Sequence, residues 1–292
     1  MDIIQNLFSQ LIFEGNDYSS LVCVIVAALS CSILSSFAAV KRMTLAGVGI
    51  GGAIFSGAAA GLLLFPTLGV YDWPIQAAAA AGGLIAALLG LAFQSNRVLP
   101  SESAYGVLIV SLLGFLLIAY GEWGARLSVL NAYLLDSPPA LSMTDFYLVI
   151  GLSAAVVLIV LLFHRGFAAL CIDPDFARAI GVSIRFFDIL LWLLLLGTLL
   201  ISIYATGFLF TLSLILFPGL CARMMAVQMG RIVVWSAFLG VATGFTAEIL
   251  SQRFFDLPAS IILIIIHVSV FVLLYGVNRW NAARTMRLPS QA

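Results

Sequence analysis

Apolar residues in this chain come in long, nearly unbroken runs separated by short polar breaks. They show neither the alternation of a half-buried strand nor the one-sided stripe of a surface helix. Runs of about 17 to 21 apolar residues are long enough to cross a bilayer as helices, where each backbone group is satisfied within its own segment. Nine such spans are predicted, roughly at 20–40, 46–65, 75–93, 103–120, 145–163, 187–203, 207–222, 232–250 and 259–277. The stretch LSVLNAYLLD at 127–136 is too short to cross and reads as re-entrant or as lying along the outer surface. The predicted fold class is an all-α polytopic membrane protein, with residues 1–292 forming one transmembrane domain.

Composition narrows the function classes. Apolar residues make up 63% of the chain and charged residues 9%, with a mean hydropathy of +1.17, whereas soluble domains are about a quarter charged. No basic patch with interleaved aromatics exists for nucleic acid. The single lysine, Lys41, sits in no G-x-x-x-x-G-K-[ST] phosphate loop, so nucleotide hydrolysis by that route is excluded. The acidic start, MDIIQNLFSQLIFEGNDY, lacks the basic flank of a signal peptide. Cys23, Cys31, Cys171 and Cys221 have neither metal-ligand nor redox spacing and read as small buried hydrophobes.

The basic residues set an expected orientation. With the N-terminus outside, the inner side collects Lys41, Arg42, Arg97, Arg165, Arg178, Arg185, Arg223, Arg231, Arg279, Arg284 and Arg287, leaving only Arg126 and Arg253 outside. That bias is what the positive-inside rule expects of an odd number of spans, N-out and C-in. Residues 1–19 are then a periplasmic segment, 164–186 a cytoplasmic loop and 280–292 a cytoplasmic tail. No internal repeat is legible, which disfavours a transporter built from inverted halves.

The longest inward-facing polar segment is HRGFAALCIDPDFARAIGVSIRFFD, residues 164–188. Asp173 and Pro174 form a helix-start signal, Asp175 complements the helix N-terminus, and Gly181 supplies a stop. These predict a short helix at roughly 174–180, readable from spacing alone as a simple connector.

DPDFARAIGV followed by a long apolar run resembles the cytoplasmic segment of permeases of the zinc/manganese/iron family of ABC importers. Three further stretches agree in order. VKRMTLAG at 40–47 is similar to the family's basic turn before its second helix. TGFLFTLSLILFPGLCARMM at 206–225 resembles an apolar helix closing on a proline and small residues, and FFDLPASIILII at 254–265 the junction before the last helix. The resemblance implies a type II importer fold in the bacterial inner membrane. Its expected partners are a second permease (identical or sister), a cytoplasmic ABC ATPase in two copies and a periplasmic substrate-binding protein. ATP and magnesium would be held by the ATPase, with no cofactor on this chain and no covalent chemistry. Residues 173–181 would be the coupling helix, with Asp173, Asp175 and Arg178 making polar contacts beside Pro174 and Gly181. Phe176, Ala177 and Ile180 would face the ATPase groove.

The same resemblance makes AGVGIGGAIFSG at 46–57 informative. The family's second helix carries G-D-x-x-x-H, whose acid and imidazole four residues apart share a helical face and can ligate a divalent ion. Here Val48 stands at the aspartate position and Gly52 at the histidine position. In the fourth span Glu102 falls where the family has an acid, and Val110 near a histidine position. Two readings stay open. Gly47, Gly51, Gly57 and Gly61 are small-residue faces for close helix packing, or the loss of ligands widens and neutralises a pathway for a metal chelate.

Other candidates are few. His267, mid-span, is a functional suspect or a hydrogen-bonded structural imidazole. Glu14, Asp17, Asp72, Glu122, Asp136, Asp145, Glu248 and Asp256 form an acidic outer set, and Arg126 and Arg253 are candidates for docking a binding protein. The leading expectation is the permease of an ATP-driven metal importer. The alternatives are a secondary transporter or channel driven by an ion gradient, and a membrane scaffold without transport.

Overall fold

The computed structural model describes residues 17–65, 72–95, 134, 143–172, 174–179, 181–253 and 257–285. Nine helices lie among them: α1 (Asp17–Val40), α2 (Thr44–Leu64), α3 (Trp73–Ser95), α4 (Met143–Ile172), α5 (Pro174–Ala179), α6 (Ile184–Thr206), α7 (Phe208–Met225), α8 (Met229–Arg253) and α9 (Ala259–Thr285). All but α5 are long and apolar enough to cross a membrane. They match eight of the nine expected spans; the span at 103–120 lies outside the described residues, as does 127–136 apart from Leu134.

One boundary needs correction. Residues 164–172, expected to open the cytoplasmic loop, continue α4 to Ile172, and α6 already begins at Ile184. HRGFAALCI contains no proline, and its one glycine costs a helix only about 1 kcal/mol. At Gly166 a side chain would strike the ring of Phe187, so the glycine serves the α4–α6 contact.

Helix α1 is the hub. Of Leu21–Val40, 78% is buried, against 22% for the spanning stretches of α4 and α9. Its run ALSCSILSS explains this, because small side chains let neighbouring backbones approach closely where lipid gives no hydrophobic drive for helices to associate. Ser236 of α8 donates to the Ser32 carbonyl at 2.6 Å. At Gly240 any Cβ would collide with Ser32, and at Gly219 of α7 with Ser35. Pro218 lies inside α7 and strips a hydrogen bond from its ladder. The adjacent Gly219 N–H instead donates to Ser35 Oγ at 2.9 Å. The helix thus runs on to Met225 rather than closing at the proline.

Around α1 stand α7 and α8 on one side and α4 and α6 on the other, while α2 and α3 pack as a pair against α6 and α7. Gly57 and Gly61 of α2 face Ala78 and Ile75 of α3, and a Cβ at Gly82 would lie 2.5 Å from the Ala53 carbonyl oxygen. The packing reading of the glycines holds for this face.

Helices α6 and α7 are joined by Gly207 alone, at φ 84° and ψ 165°. That region of backbone space is open essentially to glycine. Thr206 and Thr211 brace the turn, their hydroxyls 3.2 Å apart and Thr211 Oγ1 donating to the Gly207 carbonyl at 2.8 Å. Gly207→Ala is expected to lower stability by about 1–3 kcal/mol. Gly151→Ala, at a helical site with nothing within 4 Å, should leave stability unchanged or raise it by up to about 1 kcal/mol. Thermal unfolding of the two purified variants in detergent checks the contrast.

Candidate functional site

The antiparallel order gathers the α1–α2 turn, α5, the ends of α4, α7 and α9, and the starts of α6 and α8 at one end of the bundle. Lys41, Arg42, Arg165, Arg178, Arg185, Arg223, Arg231 and Arg279 all belong to that end, and Arg253 to the other. Arg97, Arg126 and Arg287 lie outside the described residues.

Helix α5 stands where the sequence places it. Its end is a Schellman motif: Gly181, at φ 82°, donates to the Arg178 carbonyl at 3.0 Å, and Val182 to that of Ala177 at 2.9 Å. Asp175 and Arg178 pair at 3.0 Å with side chains 89% and 64% exposed, so both are presented outward. Ala177 is a correction, because it is fully buried. The inward side of so short a helix is consumed by the chain's own α4 and α6, so Ala177 faces no partner. Asp173 and Ile180, and the side chains of Pro174 and Phe176, lie outside what is described.

Beside α5 lies an ion pair that sequence reasoning missed. Lys41 Nζ donates to Asp188 Oδ1, and the two side chains are only 12% and 18% exposed. Removing one partner of so desolvated a pair strands the other charge, at a cost of about 3–5 kcal/mol. Lys41 is held by a second Schellman turn, in which Arg42 takes a left-handed φ of 59° and Met43 donates to the Ala38 carbonyl at 2.7 Å. Next to the pair, Phe37 packs tilted on Phe167 and Phe167 edge to face on Phe187, with centroids 5.6 and 5.4 Å apart. Arg223 of α7 donates to the Ala39 carbonyl at 2.9 Å. The one available signal was that Asp188 stands alone as an acid near the start of α6 while Lys41 is the chain's single lysine, a pairing the sequence does not register across 147 residues.

The pathway candidates on α2 divide. At Gly47 and Gly51 a Cβ would meet Ile215 at 3.1 Å and Leu212 at 2.8 Å, so α7 covers both. Their reading as small residues for close helix packing therefore fits this face too, and it leaves Val48 and Gly52 as the pathway candidates on α2. Val48 and Gly52 are half-buried. At about 100° per residue they lie on a flank roughly opposite the one that Gly57 and Gly61 turn to α3. Among the described residues no three His, Cys, Asp or Glu side chains are grouped to hold a metal ion. Glu102 and Val110 lie outside those residues.

His267 is buried and saturated. Ser213 Oγ lies 2.7 Å from Nδ1, Thr243 Oγ1 lies 2.8 Å from Nε2, and Phe217 stacks on the ring at 5.5 Å. It therefore ties α7, α8 and α9 together, and neither ring nitrogen is left for a substrate. Glu248, placed in the outer acidic set, is also buried and accepts from Gln252 at 2.9 Å. All four cysteines are free and buried, as expected. Arg253 is exposed at the end opposite α5, and Asp72 is exposed just before α3.

The saturation of His267 predicts that Thr243→Val and Ser213→Ala each cost about 0.5–1.7 kcal/mol, the range measured for hydrogen bonds between membrane helices. Thermal unfolding in detergent, with the double variant to test additivity, gives the measurement.

Comparison with known proteins agrees with this architecture. The chain is similar to PsaBC from Streptococcus pneumoniae, solved in complex with Fab, with a TM-score of 0.75 and 21% identity over 93% of this chain and 95% of that one. It is 24% identical to a manganese transport system membrane protein, MntC, of Halalkalibacterium halodurans, over 92% of this chain and 89% of the relative. It is also 24% identical to the chelated iron transport system membrane protein YfeD of Yersinia pestis, over 84% of this chain and 82% of the relative. The description of the ABC 3 transport family matches residues 18–278, which sets aside the gradient-driven and scaffold alternatives. This multi-pass protein of the bacterial inner membrane belongs to the ABC 3 transport family, and is a permease of the metal ABC transporters.

Proposed function

We propose that the chain imports a transition metal (zinc, manganese or iron) as the membrane subunit of an ATP-driven transporter, with its N-terminus outside. The basic end of the bundle faces the cytoplasm, and α5 is the coupling helix seated in a groove of a partner ATPase that holds ATP and magnesium. The observation that carries this is the outward presentation of Asp175 and Arg178 on a helix that packs on α4 and is locked to α6 by the Gly181 turn. A short rigid helix held in that way passes on movement of its partner as a rigid-body push. A second permease subunit and a periplasmic binding protein complete the assembly. Arg253, and Arg126 by sequence, stand on the side that the binding protein would approach.

The cargo on this reading is a metal chelate. Support comes from Val48 and Gly52, which place an aliphatic and an empty position where the resemblance to the metal-importer permeases implies an acid and an imidazole. The relative named for chelated iron points the same way, while those named for manganese and zinc transport leave the metal itself open.

Two experiments test the reading. The chain should co-purify with a phosphate-loop ATPase, and Asp175→Lys or Phe176→Asp should lower uptake about tenfold or more while ATP hydrolysis persists, a coupling loss of roughly 1.4 kcal/mol or more. Unchanged uptake removes α5 from the coupling role. Elemental and mass analysis of the partner binding protein should find an organic ligand together with the metal; a bare ion held by protein side chains sinks the chelate reading.

A further inference from the structure

We infer that the Lys41–Asp188 ion pair is the strut through which displacement of α5 reaches α2, which makes Lys41 and Asp188 positioning residues for transport. The inference rests on the reading of α5 as the coupling helix.

The path is short and stiff at each step. Gly181 and Val182 are locked to α5 by the Schellman bonds, and Phe187 N–H donates to the Ser183 carbonyl at 3.3 Å, so the first turn of α6 follows α5 directly. Asp188 is the fifth residue of α6. Its partner Lys41 lies just past the last residue of α1, and only Arg42 and Met43 separate it from Thr44, the first residue of α2. That link does not flex freely. Arg42 is held left-handed, Met43 is bonded back to Ala38, and Ala46 N–H donates to the Met43 carbonyl at 3.0 Å. A pull on Lys41 is therefore a pull on the start of α2. Val48 and Gly52 follow within the next two turns or so.

The chemistry suits transmission better than static packing does. The neighbouring contacts between α1, α4 and α6 are aromatic or weakly polar: Phe37 on Phe167, Phe167 on Phe187, and the Cys171 thiol donating to the Phe37 carbonyl at 3.8 Å. Surfaces of this kind can slide by repacking. Two nearly desolvated charges attract strongly at short range and tolerate separation poorly, so the pair keeps α6 and the α1–α2 turn in one register as those surfaces shift. The pathway helix α2 also packs on α3, α7 and α6, and α6 meets its glycine-rich body there through apolar surface, whereas the ion pair acts at the turn that begins the helix. The ion pair thus joins the only described charged groups that link α6 to the turn leading into α2.

The test uses the full transporter in liposomes with its ATPase and needs no knowledge of the cargo. The native cysteines are buried, so Val48→Cys provides a reporter labelled by a soluble maleimide. With the native pair, ATP should change the labelling rate about fivefold or more, the lower end of ordinary allosteric coupling. In Lys41→Gln/Asp188→Asn, which strands no charge, the complex should form and hydrolyse ATP while that change disappears. The exchanged pair Lys41→Asp/Asp188→Lys should restore it. The proposal is overturned if the double-neutral protein keeps the ATP-dependent change. It is equally overturned if that protein loses assembly and hydrolysis together with the change, since the pair then serves only the fold. A native-pair protein that binds no ATPase, or shows no ATP-dependent change, fails at the coupling-helix reading and takes this inference down with it.

Discussion

The close approach of α7 and α8 to α1 is the contact on which the bundle depends. Within lipid, burying one apolar side chain against another gains little over leaving it in hydrocarbon, so helices stay together by tight packing and by hydrogen bonds. Helix α1 supplies both. Its serines sit opposite Gly219 and Gly240, where backbones come close enough that no side chain fits between them. The hydroxyls and carbonyls so exposed are then used, Ser35 by the Gly219 N–H and the Ser32 carbonyl by Ser236. With α1 fixed, α4 and α6 find their places on its other side, and the α2–α3 pair is carried on α6 and α7.

That arrangement separates the molecule into a rigid part and a part free to take up another role. Ser213 of α7 and Thr243 of α8 converge on His267 of α9, whose two nitrogens both have hydroxyl partners. An intramembrane histidine is ordinarily a functional suspect, and here it is a rivet. By contrast, the flank of α2 that bears Val48 and Gly52 is only half-covered and bears no ligating group. Among the described residues, Ser32, Ser35, Ser213, Ser236 and Thr243 serve to hold helices together, and the basic side chains gather at one end. The described part of α2 presents shape and little else.

Sequence patterning was most informative where one residue has one local consequence. The brake at Gly181 and the start at Pro174 set α5 to within a residue of its observed end. Apolar run length set eight spans to within a few residues, except where α4 ran past His164 without a breaker and α9 ran on to Thr285. It was least informative about direction. Nothing in FARA says that Ala177 turns inward while Asp175 and Arg178 turn out, because which side of α5 is covered depends on where α4 and α6 lie.

The sequence by itself determined the class of the protein, the eight spans seen among the described residues, the gathering of described basic residues toward one end of the bundle and the lack of ligating side chains at Val48 and Gly52. Each of these is a property of composition or of a few adjacent residues. Only the tertiary structure decided which glycines pack and which stay open, that His267 and Glu248 are buried and bonded, and that Lys41 finds Asp188 across 147 residues of chain. Those outcomes depend on which helix faces meet. In a uniformly apolar chain no hydrophobic stripe encodes the facing, so it is fixed only when small residues on several helices come together at once.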